Sequence, residues 1–196
     1  MRATILSTVL LLAIAGTLAA TASKASAAVI WYDCTDCPLS VPPSGTSGTT
    51  TSVLDIGDHA TIHDLDVFIN LTHTFTGDLE ISLQAPNGTE VLMFENEGGS
   101  GDDITDVTFD DEAVSSISGQ IAPFGPGTFR PSPGSLSDFD GLDVFGQWTL
   151  IVNDELGGDS GRLNHWSIHV ETPVPATLLL MGVGLAALGI GRRRQD

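Results

Sequence analysis

The segment 146–170 constrains the fold of this 196-residue chain more than any other stretch. It contains two runs in which apolar and polar residues alternate, and each run carries one tryptophan, Trp148 or Trp166. Alternation with a period of two is typical of β-strands that bury one face. Leu163 has the wrong parity for the face of Trp166, which predicts a β-bulge between them. We therefore expect a hairpin of two paired strands whose tryptophans anchor a β-sheet core.

The same alternation recurs upstream of this hairpin. Residues 65–71 and 79–83 alternate apolar and polar side chains, which predicts two further half-buried strands. Asn87 and Gly88 are a strong turn signal before a return strand at residues 90–94, because this dipeptide accepts the positive φ of a tight hairpin. No segment inside the domain shows helical periodicity. Short strands joined by glycine- and proline-rich turns predict an all-β domain, either a sandwich or a barrel.

The segment 1–27 has the pattern of a secretory signal peptide. Arg2 provides the positive charge, residues 5–20 form an apolar run, and the Ala-Ser-Ala sequence at 25–27 matches a cleavage site. An uncleaved membrane anchor is the alternative interpretation. The segment predicts a protein that is exported and works outside the cytoplasm.

The segment 172–196 combines a proline pair, a short apolar run at residues 177–191 and a terminal arginine cluster. The residues of the pair and the cluster are Pro173, Pro175, Arg192, Arg193 and Arg194. The run is shorter than the roughly 20 residues of a relaxed membrane span, and the arginines favour the cytoplasmic side. The pattern resembles the bacterial PEP-CTERM sorting signal, although Val174 stands where that family usually has glutamate.

The resemblance to PEP-CTERM signals implies an exosortase-type enzyme as the processing partner. In that family the exosortase recognises the tail and removes it during export to the cell surface. The resemblance therefore implies a transient association with the membrane, followed by display at the cell envelope or release. A plain C-terminal membrane tail is the alternative.

The chain between the two terminal segments is strongly acidic. Five of the seven basic residues lie in those segments, which leaves Arg130 and Arg162 in the middle. Of the 25 acidic residues only Asp196 lies outside the middle, so 2 bases and 24 acids give it a net charge of −22. Such a surface repels nucleic acids and anionic membranes and favours divalent cations. The composition therefore argues against nucleic acid as a partner.

The segment 28–51 contains the two cysteines and a tract that resembles a linker. With two cysteines in an exported protein, the prediction is a local disulfide between Cys34 and Cys37. Redox activity would need the first cysteine at a helix N-terminus, and zinc would need two further ligands. Both stay as alternatives. Residues 40–51 are rich in Pro, Ser, Gly and Thr, so we expect a linker here and a globular domain that begins near Ser52.

Six short motifs between residues 52 and 171 follow the order known from one protein family. They are HTFTGDLEISL from His73, APNGT from Ala85, FDDEA from Phe109, FRP from Phe129, LSDFDG from Leu136 and GQWTL from Gly146. The segment 52–171 thereby resembles the P domain, also called P/Homo B, of proprotein convertases. The resemblance implies a jelly-roll-like β-sandwich of about eight strands. It also implies a non-catalytic role, because the P domain of convertases accompanies a subtilisin-like protease domain and stabilises it.

The residues themselves also predict that the chain is not an enzyme. No credible Ser-His-Asp triad is present, and His59 and His63 lack the helical His-Glu-x-x-His context of a zinc protease. We expect the histidines to be exposed or hydrogen-bonded residues of strands. Serine-type endopeptidase activity and proteolysis then belong to the partners of the domain.

Acidic residues in glycine-rich loops make calcium the one cofactor hypothesis. Calcium binds about six to eight oxygen atoms, mostly from carboxylates, backbone carbonyls and water. The candidate ligands are Asp110, Asp111, Asp154 and Asp159. The alternative is that these carboxylates cap turns and solvate loops.

Two functional hypotheses follow. The first is a non-catalytic exported P/Homo B domain protein, surface-anchored or released, that acts as a structural or binding module for extracellular polysaccharide or a protein partner. The second is an accessory domain that docks on and stabilises a separately encoded subtilisin-like serine endopeptidase.

Overall fold

The computed structural model describes residues 28–42 and 46–173. The strands in these ranges are β1 (Ala28–Asp33), β2 (Leu39–Val41), β3 (Gly48–Ile56), β4 (Asp64–His73), β5 (Leu79–Gln84), β6 (Glu90–Glu95), β7 (Ile104–Phe109), β8 (Gly127–Phe129), β9 (Gly146–Asp154) and β10 (Gly161–Thr172). Two 3-10 helices, Thr76–Asp78 and Leu136–Phe139, lie between strands. The predicted signal peptide 1–27 and the sorting-signal residues Pro175, Arg192, Arg193 and Arg194 lie outside the described residues. No helix in the described ranges is long and apolar enough to cross a membrane.

The strands form two sheets around one hydrophobic core. The larger sheet has the order β1-β10-β4-β7-β8, with β2 also paired to β10, and the smaller has the order β3-β9-β5-β6. Neighbouring strands are antiparallel except for β7 and β8. The predicted all-β sandwich is confirmed, with ten strands instead of about eight. The strands predicted at residues 65–71 and 79–83 are parts of β4 and β5, and β5 pairs with β6 across the predicted Asn87-Gly88 turn.

The predicted hairpin of the two tryptophan strands is wrong. β9, which carries Trp148, pairs with β3 and β5, whereas β10, which carries Trp166, pairs with β1, β2 and β4 in the other sheet. Both strands are central in their sheets, so neither has a free edge for the other. The loop at residues 155–160 therefore crosses between sheets that lie about 10 Å apart. The predicted bulge is confirmed, since the register of β10 shifts between Leu163 and His165.

The predicted linker is also wrong over much of its length. Residues 39–41 form β2, and β3 begins at Gly48, before the expected start of the domain at Ser52. Thr50 is buried and its hydroxyl donates a hydrogen bond of 2.8 Å to the carbonyl of Ser40. Serine, glycine and threonine suggest a flexible linker by composition, but threonine is β-branched and suits a half-buried strand. Composition therefore hid the alternation that places Thr50 and Leu54 on the inner face.

The two tryptophans of the core are fully buried, and the indole N–H of each donates a hydrogen bond. Nε1 of Trp148 donates a hydrogen bond of 2.8 Å to the carbonyl of Val144, and its ring packs edge-on against Phe139. Nε1 of Trp166 donates a hydrogen bond of 2.6 Å to the hydroxyl of Ser52. Since β3 and β10 belong to different sheets, this second bond joins the two layers of the sandwich.

Replacing Trp166 with alanine tests this description of the core. We expect Trp166→Ala to lower the free energy of unfolding by about 3–5 kcal/mol, because it opens a cavity and removes the bond to Ser52. That is a large share of the roughly 5–15 kcal/mol by which domains are stable. Urea unfolding followed by circular dichroism measures the loss. Trp31→Ala is the matched control: this side chain is 65% exposed, and its removal should cost about 1 kcal/mol or less. Equal losses in the two variants would contradict the assignment of Trp166 to the core.

Candidate functional site

The four aspartates predicted as calcium ligands form two separate pairs. Asp110 and Asp111 follow β7, whereas Asp154 ends β9 and Asp159 lies in the loop before β10. β7 ends beside the first half of β4, but Asp154 contacts His73, the last residue of β4. An extended strand rises about 3.3 Å per residue, so roughly 20 Å of β4 separates the pairs. They cannot share one ion, and each pair has its own surroundings.

Asp111 stabilises the turn at residues 135–137, near the N-terminal end of β4. Its carboxylate accepts hydrogen bonds from the Ser135 hydroxyl at 2.5 Å and from the backbone N–H groups of Leu136 at 3.1 Å and Ser137 at 2.8 Å. Burial alone would raise the pKa of Asp111, but these hydrogen bonds outweigh it and lower the pKa. The carboxylate therefore fixes the start of the 3-10 helix that follows Ser135, as a capping residue does.

Asp154 is buried beside a histidine at the other end of β4. Asp154 and His73 are each 1% exposed, and Nε2 of His73 lies 3.4 Å from Oδ2 of Asp154. Among the described residues, the two carboxylate oxygens of Asp154, Oδ1 and Oδ2, have no hydrogen-bond partner, and neither has Nε2 of His73. Nδ1 of His73 lies 3.0 Å from the carbonyl of Phe75. Because a buried polar group needs a polar partner, we interpret His73 as the partner of the buried Asp154 carboxyl group.

Two more aspartates lie near this buried pair. Asp159 accepts a hydrogen bond of 3.1 Å from the hydroxyl of Thr74. Burial, followed by the charges of Asp154 and Asp159, raises the pKa of Asp78. Even so, the part of the chain that the structure describes has no group of three or more His, Cys, Asp or Glu side chains placed to hold a metal ion. These side chains alone therefore do not form a complete set of calcium ligands.

An acidic cleft of about 350 Å³ lies at the start of β4. It is lined by His63, Asp64, Asp111, Glu112, Ser137, Asp140 and Glu171. Next to it, Asp110 accepts a hydrogen bond of 2.6 Å from the backbone N–H of Glu112. Burial, followed by the charges of Asp110 and Asp64, raises the pKa of Asp66 to about 7. Asp66 is therefore partly protonated near neutral pH.

Sequence reasoning missed a groove of about 430 Å³ on the outer face of the larger sheet. We call it the aromatic groove; its lining residues are Trp31, Asp33, Phe68, Thr108, His165, Ser167 and His169. The indole of Trp31 stacks on the ring of His169, with centroids 4.3 Å apart and an angle of 15° between the planes. Nε2 of His165 lies 3.2 Å from Oδ1 of Asp33. The groove thus combines two aromatic side chains with a carboxylate, two hydroxyls and two imidazoles.

Part of the aromatic groove could be predicted from the sequence. His165 and His169 alternate with the buried residues of β10, which places them on the outer face as strand histidines. Trp31 reaches them only because β1 pairs with β10 and sets Trp31 directly opposite His169. Burial lowers the pKa of His169, and the charge of Asp33 opposes this effect. The missing signal was the pairing of the first strand with the last.

The disulfide between Cys34 and Cys37 lies beside the aromatic groove. The two Cα atoms are 5.9 Å apart. Sγ of Cys34 lies 3.5 Å from Nδ1 of His165, so the bridge holds the chain after β1 close to β10. In this state neither sulfur is a thiolate that could bind a metal or act as a nucleophile.

Replacing Asp66 with asparagine tests the raised pKa of this carboxyl group, which is influenced by burial and by Asp64 and Glu112 of the acidic cleft. The folded-state pKa of about 7 is above the 3.8 of an unperturbed aspartate, so protonation of Asp66 stabilises the fold as the pH falls through 7 toward 4. Asparagine mimics the protonated carboxyl group. We expect Asp66→Asn to stabilise the domain at about pH 8, by on the order of 1 kcal/mol because the side chain is partly exposed, and to have a smaller effect at about pH 5.

Thermal unfolding at the two pH values measures this difference in Tm. The exposed Asp102 provides the control, since Asp102→Asn should leave Tm unchanged at both. An effect of Asp66→Asn that does not depend on pH, or a destabilisation at the higher pH, would contradict the raised pKa.

Comparison with known proteins identifies two parts of the chain. Residues 62–170 match the model of the proprotein convertase P-domain family, which is more than half of the chain. Residues 171–195 match the PEP-CTERM protein-sorting motif. The second match begins where β10 ends, so the folded domain and the sorting tail are adjacent.

Curated relatives share the domain at low identity. The transglutaminase-activating metalloprotease of Streptomyces mobaraensis is 29% identical over 131 residues, or 66% of this chain and 14% of that protein. The calcium-dependent protease of Trichormus variabilis is 28% identical over 120 residues, or 60% of this chain and 15% of that protein. The leupeptin-inactivating enzyme 1 of Streptomyces exfoliatus is 28% identical over 102 residues, or 52% of this chain and 17% of that protein. The chain therefore matches less than a fifth of each relative.

A solved serine protease of Aeromonas sobria, in complex with its chaperone, aligns with 77% of this chain and 28% of its own at a TM-score of 0.46 and 19% identity. The family is established by the match over residues 62–170, which spans β4 to β10 and includes both core tryptophans. The P domain is a protease-associated accessory domain, and the tail adds a sorting motif to it. This chain belongs to the proprotein convertase P-domain family.

Proposed function

We propose that this chain is an exported, non-catalytic P domain that acts at the cell surface as a structural or binding module. The observation that carries the proposal is that the described strands complete the sandwich core by themselves. β1 and β10 pair along six residues, from Ala28 opposite Thr172 to Asp33 opposite Ser167. This pairing brings the two ends of the described chain together, which is common in domains that have their own core.

The position of the sorting tail supports display at the surface. The tail match begins at residue 171, beside the pairing of Ala28 with Thr172. A tether at this edge leaves from the start of β4, where Glu171 pairs with Asp64. The buried pair of His73 and Asp154 lies at the far end of the same strand. A domain anchored in this way presents its far end and both outer faces to the surroundings.

The surroundings of the histidines support a non-catalytic role. A serine nucleophile needs a histidine within hydrogen-bond reach, oriented in turn by a carboxylate. His59 and His165 each contact an aspartate, but among the described residues no serine hydroxyl forms a hydrogen bond with either ring. The third such histidine, His73, is fully buried and out of reach of a substrate. His169 shares a hydrogen bond of 3.0 Å with the hydroxyl of Ser167, but that serine is buried and, in the described part of the chain, no carboxylate forms a hydrogen bond with the His169 ring.

The second candidate function is support of a separately encoded subtilisin-like protease. It is favoured by the relatives, because two of those compared are named proteases in which the matching segment is about one seventh of the length. We infer that a free P domain could bind such a protease and stabilise it as an attached one does. Both candidates share export through the sorting tail and an exosortase as the processing enzyme.

Purification of the exported protein from the native bacterium tests these proposals. We expect mass spectrometry to show a chain that begins at Ala28 and lacks Arg192, Arg193 and Arg194, because both terminal segments are removed. We also expect no peptidase activity that a serine-directed inhibitor abolishes. Such activity in the pure protein would overturn the non-catalytic role, and intact arginines would favour a plain membrane tail.

The same preparation separates the two candidates. A subtilisin-like protease that co-purifies in constant ratio, and loses thermal stability when the P domain is removed, would favour the accessory role. An exported domain that elutes alone, from cells that contain such a protease, would favour an independent module. Trp166→Ala, which weakens the core, serves as a destabilised control.

Calcium at Asp154 and Asp159 stays a prediction. It is supported by the relative from Trichormus variabilis that is named a calcium-dependent protease, and by the oxygens of Asp154 that have no hydrogen-bond partner in the described part of the chain. The contact with His73 offers a different explanation for the same carboxylate, because the imidazole nitrogen at 3.4 Å is a polar partner within the protein.

Thermal unfolding in a chelator and in millimolar calcium decides between them. If His73 is the only partner of Asp154, the Tm of the exported protein is the same in chelator and in calcium, since a ligand raises Tm only when it binds the folded state. A Tm that rises with calcium in the wild type, but not in Asp154→Asn, would show that calcium binds at this end. Asp111→Asn, at the opposite end of β4, should keep the wild-type response.

A further inference from the structure

The aromatic groove presents an indole that is held in place and open to solvent. Trp31 is 65% exposed, although a tryptophan usually buries about 150–250 Å² of surface in a core or an interface. Its ring is supported from one side by the stacked ring of His169. His169 is fixed in turn, because its Nε2 lies 3.0 Å from the hydroxyl of Ser167. An exposed but positioned aromatic ring is a typical feature of a binding site.

A second aromatic ring stands across the groove. Phe68 lies opposite Ser167 on β4, whereas Trp31 lies opposite His169 on β1, so the two rings flank β10 from its two sides. Adjacent strands are about 4.8 Å apart, which places the two side chains roughly 10 Å apart across the sheet. The ring of His165 tilts at 54° to that of Phe68, with centroids 5.9 Å apart. The aromatic groove is the open space between the two rings, and β10 lies at its base.

The polar groups of the aromatic groove are hydrogen-bond donors and acceptors, and Asp33 is the one carboxylate among its lining residues. The carboxylate of Asp33 already contacts His165 at 3.2 Å. The hydroxyls of Thr108 and Ser167 complete the polar lining. Of the residues that the structure describes, no lysine or arginine lines the groove, and the acidic domain around it repels anions. These features disfavour phosphate, sulfate or carboxylate groups as the recognised element.

The ligand that matches this lining is a neutral sugar. One face of a pyranose ring consists of C–H groups, which pack flat on an indole, and its rim consists of hydroxyls, which pair with carboxylate, imidazole and hydroxyl groups. A volume of about 430 Å³ is within the range of small-ligand sites. We propose that the aromatic groove binds neutral sugar residues of an extracellular polysaccharide, with Trp31 as the stacking platform. The inference rests on the proposed role as an exported binding module and gives that module a ligand class.

Affinity electrophoresis of the exported protein tests the inference. The gels contain dextran, xylan or β-glucan as neutral probes, alginate as an anionic probe, or polylysine as a cationic probe. We expect retardation by at least one neutral probe and none by alginate. Trp31→Ala should weaken this binding about tenfold or more, since the stacking platform is lost. Trp31→Phe should keep a part of it.

Two controls make the result specific to the groove. Phe145→Ala removes another exposed aromatic ring, 48% exposed and away from the groove, and should leave binding unchanged. The Tm of each variant should lie within about 5 °C of the wild-type Tm, which separates lost binding from lost folding.

Other outcomes would overturn the sugar site. They are retardation by none of the neutral probes, retardation that survives Trp31→Ala, or retardation by polylysine alone, which would indicate a cationic partner. A chain that is exported and shows no peptidase activity, yet binds no neutral probe, contradicts the sugar site and leaves the proposed function intact. A chain that binds a neutral probe but shows serine peptidase activity supports the sugar site and contradicts the proposed non-catalytic function.

Discussion

Two tryptophans that enter one core from opposite sheets support the rest of this structure. Trp148 comes from the centre of the smaller sheet and Trp166 from the centre of the larger one, and both are fully buried. The bond from Trp166 to Ser52 ties the layers together, because its two residues belong to different sheets. A small sandwich gains most of its stability from such burial, so the outer faces are free to carry polar and aromatic groups that add little to it.

β10 connects this core to the proposed binding surface. Its inner face contributes Trp166, and its outer face contributes His165 and His169 to the aromatic groove. Its ends matter as well, since it pairs with β1 and continues into the sorting tail. The same strand therefore contributes to the core, to the aromatic groove and to the start of the sorting motif. The acidic groups at the two ends of β4 have a different role: Asp111 fixes a turn and Asp154 faces a buried histidine.

Errors in the sequence-based prediction have physical causes that can be named. Adjacency in sequence predicts a hairpin for the tryptophan strands, but a six-residue loop is long enough to cross the core. The composition of residues 40–51 predicts a linker, although the alternation in this segment turns Thr50 inward.

The all-β class, the burial of the tryptophans, the bulge after Leu163 and the resemblance to the P domain with a sorting tail can be predicted from the amino-acid sequence. These features depend on residue type and on a period of two, which are local properties of a chain. Three others depend on the folded structure: which strands are neighbours, the stacking of Trp31 on His169, and the contact of His73 with Asp154. Alternation specifies which face of a strand is buried, but the partner at each edge is chosen by the packing of the whole core, and the aromatic groove arises from that choice.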